Sequence, residues 1–139
     1  MEPQTFGQRV KRTGKKALRI TIISVIVILV ITFCTMYWGV YEDGVMAGKI
    51  LRVSEKGMMF KTYEGKINLG TFGAMRDVSP IAESFDFSVE RSDKELREEL
   101  QEVALTGERV NLYFVKRYMT FPWRGDTKYF ATRIERLGK

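Results

Sequence analysis

The chain has 139 residues, no histidine and one cysteine, with 23 basic against 17 acidic side chains and a net charge of +6. That inventory excludes Ser-His-Asp triads, Cys-His pairs, zinc or haem sites of the usual ligand types, and any intramolecular disulfide. The excess charge sits in residues 1–19, which carry net +5, whereas the chain from Glu42 onward is only +1. A nucleic-acid partner therefore has no support in the folded part.

Residues 1–19 hold Arg9, Lys11, Arg12, Lys15, Lys16 and Arg19 against the single acid Glu2. Pro3, Gly7 and Gly14, with no apolar periodicity, predict a disordered cytoplasmic tail. Residues 20–41, ITIISVIVILVITFCTMYWGVY, carry no charge and predict a transmembrane helix. A bilayer core about 30 Å thick needs about 20 apolar residues at about 1.5 Å each. The run is too long for a signal peptide, and Phe33, Met36, Tyr37 and Trp38 stand where a cleavage site needs small residues. Phe33 before Cys34 also fits no lipobox. Tyr37, Trp38 and Tyr41 gather at the end of the run as interfacial aromatics.

The basic flank fits the positive-inside rule. It predicts a single-pass membrane protein with a cytoplasmic N-terminus and the C-terminal domain across the membrane. The same six cations form a membrane-surface cluster that strengthens the anchor on anionic headgroups. The span has no tight small-xxx-small pattern and no ionisable residue, so neither helix dimerisation nor conduction is signalled.

Residues 42–139 read as one extracytoplasmic β-rich domain. Strands are predicted over 45–55, 58–63 and 66–69, with turns at Lys56-Gly57 and Glu64-Gly65. A long connection over 70–83 contains Phe72, Met75, Arg76 and Ile81, which either cover one end of the domain or meet a partner or lipid. Residues 84–90 alternate, with Phe85, Phe87 and Val89 on one face. Ser92 and Glu95 form a capping box for the one soluble helix. Its apolar stripe is Leu96, Leu100, Val103 and Ala104, and Gly107 is its stop. Strands at 108–118 and 127–137 complete the chain.

The expected fold is an N-terminal transmembrane helix plus a small mainly-β domain with one α-helix, either an OB-like barrel or a curled antiparallel sheet. OB-like barrels place a helix between their third and fourth strands, whereas here it follows the fourth predicted strand, so the match is partial. A split-barrel or helix-on-sheet α+β arrangement is the other option.

Chemistry is sparse. No dinucleotide or phosphate loop is present. Glu98-Glu99 belongs to a solvated helix face, Asp126 near Glu135 is the other notable carboxylate pair, and Asp86, Glu90 and Asp126 lack calcium-loop spacing. The expectation is a non-enzyme without cofactor or metal. One motif exceeds background: in FPWRGD, Phe121, Trp123 and Arg124 combine aromatics and arginine, the composition of interface hot spots. The competing expectation is that Trp123 folds back to cap the core.

The basic tail, the span, EDGVMAGKILRVSEKGMMFKTYEGKINLG, FDFSVE and PWRGDTKYF together resemble a family of short single-pass inner-membrane proteins of Bacteroidetes-type bacteria. The resemblance covers nearly all of residues 42–137 and implies a membrane location and a fold, with no reaction and no site residues. The label 6-phosphogluconate dehydrogenase, sometimes attached to such proteins, fits neither the chain length nor the motifs. The function expected is a membrane-anchored interaction module that binds another cell-envelope protein. A barrel recognising an envelope oligosaccharide or lipid headgroup is the alternative, and carboxylate-based catalysis is a weaker third.

Overall fold

The computed structural model describes residues 6–70 and 84–137, so Phe72, Met75, Arg76 and Ile81 lie outside the described residues. The chain forms two compact units, Met1–Trp38 and Gly39–Lys139. The first is helix α1, Phe6–Trp38, and among the described residues it is the one helix long and apolar enough to cross a membrane. Two expectations change here. The helix begins inside the tail that was expected to be disordered, and it ends at Trp38 instead of Tyr41.

Both changes have local causes. Arg12, Lys15, Lys16 and Arg19 recur at i, i+3, i+4 and i+7, so one helical stripe carries these basic side chains out to solvent. At the other end, Gly39 leaves the helix and Tyr41 lies on a strand. The charge-free part from Ile20 to Trp38 is about 28 Å long at about 1.5 Å per residue, close to the hydrocarbon thickness. Its threonines do not interrupt the apolar surface. Thr21, Thr32 and Thr35 donate their hydroxyls to the carbonyls of Ala17, Ile28 and Ile31, at 3.0, 2.8 and 2.8 Å. Hydroxyls satisfied within the helix need no water, which is what a bilayer demands.

The second unit is a five-strand mixed sheet with one more helix. Its elements are β1 (Val40–Lys56), β2 (Thr62–Asn68), β3 (Ser84–Val89), α2 (Lys94–Thr106), β4 (Arg109–Arg117) and β5 (Tyr129–Arg136). The pairing order runs β1-β2-β3-β5-β4 and returns to β1. β1 makes this return possible because it is long: Val40 to Lys49 pair with β4, and Lys49 to Lys56 pair with β2. The register shifts between Ile50 and Arg52, where an extra residue bends the strand from one neighbour toward the other. All pairings are antiparallel except β3 with β5, a short parallel ladder of Ser88 to Phe130 and Val89 to Ala131. A wholly antiparallel sheet is thereby corrected to a mixed one.

Only two strands precede β3, where three were expected. Gly57, at φ 110°, makes the true turn, and a side chain there would collide with the Phe60 carbonyl. Met58 to Phe60 therefore belong to a loop, and Glu64-Gly65 lies inside β2. With one strand fewer, α2 falls between the third and fourth strands.

The core is one cluster. Ile50, Ile67, Phe87, Val89, Val110, Leu112, Ala131 and Ile134 from the sheet meet Leu96, Leu100 and Val103 from α2. The expected helix stripe is the buried one, with Ala104 partly buried against it and Glu95, Glu98, Glu99 and Glu102 in solvent. The N-cap is Asp93 rather than Ser92: Asp93 Oδ1 accepts from the Leu96 amide at 3.2 Å, so the helix starts one residue later than the capping box implied. Gly107 ends it at φ 69°.

Candidate interaction surface

Two loops meet at one end of the sheet: Gly57–Lys61 between β1 and β2, and residues 118–128 between β4 and β5. Because Gly57 reverses the chain, Met58 and Met59 stand at the loop tip. Met58 is fully exposed, Met59 is 88% exposed and Phe60 50%. From the other loop, Trp123 is 44% exposed. Its ring stacks on Phe121 with centroids 5.0 Å apart and an interplanar angle of 27°, and meets Phe60 edge-on at 6.4 Å. Exposed Pro122 continues this surface. Paired charges rim it, with Lys56 Nζ 4.0 Å from Asp126 and Lys61 Nζ 3.7 Å from Glu55. An apolar, aromatic centre inside a polar rim is the anatomy of a recognition surface.

The loop carrying Trp123 is held from beneath. The amides of Arg124 and Gly125 both donate to the Phe121 carbonyl, at 2.9 and 3.2 Å, which folds Phe121 to Gly125 into a tight turn. Arg124 then points inward. It is only 8% exposed, its Nε donates to Glu90 Oε1 at 2.7 Å, its Nη2 reaches the same oxygen, and its guanidinium lies 5.3 Å over the Phe130 ring. Gly125 rests so close to β3 that a Cβ would stand 2.6 Å from Ser88 Oγ and 2.9 Å from Phe130 Cζ. The Asp126 amide donates to Glu64 Oε1 at 3.0 Å and the Thr127 amide to Ser88 Oγ at 3.1 Å. Ser88 completes the knot by donating to Glu64 Oε2 at 2.6 Å.

The expected contact residues are thus divided. Phe121 and Trp123 lie on the surface, while Arg124 lies beneath it as an anchor. Trp123 does not cap the core. Met58, Met59 and Phe60 are new members that had been assigned to a strand, and the lone Gly57 was the available signal for a loop there. Glu64, Ser88, Glu90 and Thr127 are new as well. They are loop anchors, and no sequence spacing links them.

The other expected residues lie elsewhere. Arg9, Lys11, Arg12, Lys15, Lys16 and Arg19 are on the first turns of α1. Tyr37 packs between Phe33 and Trp38, with ring centroids at 5.9 and 4.8 Å. Tyr41 belongs to β1, edge-on to Tyr118 at 5.6 Å. Asp86, Glu90 and Asp126 pair with Lys66, Arg124 and Lys56 respectively. Among the described residues, no group of three histidine, cysteine or acidic side chains converges as a metal site would require.

No curated protein and no solved structure matches the chain. A family described as a domain of unknown function (DUF8785) matches residues 39–137, from the glycine that ends α1 to the end of the described sheet unit. The match takes in both loops of the apolar surface and all their anchors, and the chain belongs to the DUF8785 family.

Proposed function

We propose that the chain is a membrane-anchored interaction module that grips another cell-envelope protein with the Met58–Phe60 and Phe121–Trp123 surface. The observation that carries this reading is the contrast between an exposed apolar tip and a buried polar foundation. Aromatics and methionines left in solvent cost solubility, and anchors that fix their backbone lower the entropy lost on binding. Tryptophan on a preformed turn is a favoured hot spot. In this reading the fold is an OB-like barrel, supported by the β1-β2-β3-β5-β4 order and by α2 between the third and fourth strands. Such barrels bind ligands beside the same two loops, β1–β2 and β4–β5.

The reading is non-catalytic and needs no cofactor. Both oxygens of Glu64 are engaged in holding the loop, and Ser88 is fully buried under it, which favours anchoring over nucleophilic chemistry. The location is the inner membrane of a Bacteroidetes-type bacterium, with the domain periplasmic. The basic stripe of α1 supports that orientation through the positive-inside rule. A reporter active only outside the cytoplasm, fused at Lys139, is expected to be active. Activity of a cytoplasmic reporter alone at that position reverses the orientation.

Photo-crosslinking residues placed at Met59 and Trp123 in native membranes test the surface. The expected result is one protein adduct of defined mass from both positions and none from Glu98 on the wet face of α2. Trp123→Ala with Met59→Ser should weaken capture by about 2 kcal/mol or more, the hot-spot scale, at nearly unchanged thermal stability. Saturable binding of a soluble oligosaccharide at these positions, without a protein adduct, would favour the alternative reading of a glycan-binding barrel.

A further inference from the structure

A second recess lies between the start of β1 and the base of the β4–β5 loop. Tyr41, Lys116, Arg117, Tyr118 and Lys128 line a recess of about 300 Å³. Its walls are built into the sheet. The Tyr41 and Tyr118 rings meet edge-on at 5.6 Å, and Lys116 Nζ lies 5.2 Å from the centroids of both Tyr41 and Tyr129. The Arg117 amide donates to the Lys128 carbonyl at 2.8 Å, which closes the base of the β4–β5 loop and holds the two residues side by side. Lys116, whose ammonium is 3.6 Å from the Glu42 carboxylate, shares the recess with Arg117 and Lys128. Hydrogen bonding to Tyr129, outweighing desolvation, keeps the Lys116 ammonium above its ordinary range, and Glu42 adds to this. The recess therefore combines basic side chains with two phenol rings, 64% and 48% exposed, and Met119 beside them is also exposed.

Tyr41 follows the last residue of α1, Trp38, by three positions, and consecutive Cα atoms are about 3.8 Å apart, so their separation is at most about 11 Å. If α1 crosses the bilayer and ends at Trp38, that covalent limit leaves Tyr41 within reach of the headgroup layer. Tyrosine and lysine or arginine are the side chains that settle there, the ring at the acyl boundary and the cation at the phosphate.

We infer that the Tyr41–Lys116–Tyr118–Lys128 recess binds the phosphate of an anionic phospholipid headgroup in the leaflet from which the domain emerges. This inference goes beyond the protein-binding surface and rests only on the membrane anchoring proposed above. Occupancy would pin the start of β1 to the membrane surface and leave the Met58–Phe60 end of that strand available to a partner.

The test uses the full chain in uncharged detergent micelles, with backbone amide resonances as a local readout that the α1 cations cannot mimic. Dihexanoyl phosphatidylglycerol should shift the Tyr41, Lys116 and Tyr118 amides saturably, and phosphatidylcholine of the same chain length should not. Lys116→Ser with Lys128→Ser should abolish the saturable shifts. Amide shifts elsewhere in the sheet should be unchanged, which shows that the double variant folds. Equal saturation by inorganic phosphate would overturn the lipid as occupant. Shifts that do not saturate, or that survive the double variant, would overturn the site. Extraction of the chain from membranes by alkaline carbonate tests the anchor separately, so its failure is distinguishable from failure of the recess.

Discussion

Arg124→Ala should destabilise the domain by about 3 kcal/mol, and Trp123→Ala by less than about 1 kcal/mol. The two residues are neighbours, yet the turn sends one in and one out. Truncating Arg124 strands the Glu90 carboxylate, 30% exposed, without the guanidinium whose Nε and Nη2 reach one of its oxygens. It also removes the cation from the face of Phe130. Breaking one side of a buried ion pair typically costs about 3–5 kcal/mol, and the partial exposure of Glu90 places this case at the lower end. Trp123, 44% exposed, loses ring contacts with Phe121 and Phe60 at the surface. Urea melts of the full chain in neutral detergent, followed by far-ultraviolet circular dichroism, measure both. The reverse order, with Trp123→Ala the more damaging, would mean that the ring is part of the core and unavailable to a partner.

That order could not be read from the sequence, because an Arg beside a Trp in a Pro- and Gly-containing turn looks like a pair of exposed contacts. The partner that pulls Arg124 inward, Glu90, is 34 residues away, and nothing in local spacing connects them. The same reason makes Glu64-Gly65 a false turn signal, whereas the turn expected at Lys56-Gly57 is the one that joins β1 to β2. Glu64-Gly65 has turn composition, but Glu64 meets Ser88 and the Asp126 amide from 24 and 62 residues away, and those long-range bonds keep the pair within a strand. Ser88 was expected on the solvent face of its alternating strand, correctly by parity, and is fully buried because the β4–β5 loop lies over it. By contrast, local periodicity sufficed wherever one face simply meets the core. Leu96, Leu100 and Val103 at helical spacing, and Phe87 and Val89 at strand spacing, are all in the core cluster. The helical stripe of Arg12, Lys15, Lys16 and Arg19 was present in the sequence too, written in cations at a spacing that is informative only in apolar residues elsewhere.

Glu64→Ala should cost about 3 kcal/mol, and Glu64→Gln about 1 kcal/mol. The carboxylate accepts two hydrogen bonds, from the Ser88 hydroxyl at 2.6 Å and the Asp126 amide at 3.0 Å, and is itself only 6% exposed. Hydrogen bonds to a charged acceptor contribute about 1.5–3 kcal/mol each, offset in part by the desolvation of that charge. Alanine leaves the Asp126 amide without its acceptor and opens a void under the loop. Glutamine can turn its oxygen to the Asp126 amide and its NH2 to Ser88 Oγ, with Thr127 Oγ1, 2.9 Å from Ser88, available to the serine proton. The loop should then remain in place, and crosslinking from Trp123 should survive in Glu64→Gln and fall in Glu64→Ala. Glu64 and Arg124 hold the same β4–β5 loop from two sides, so their losses should not add. The double variant Glu64→Ala, Arg124→Ala is expected to fall short of the sum of the single effects by about 1 kcal/mol or more, because a loop released by one change has little left to lose from the other. Strict additivity in the same melts would show that the two anchors act on independent structures and that the β4–β5 loop is not one rigid platform for Trp123.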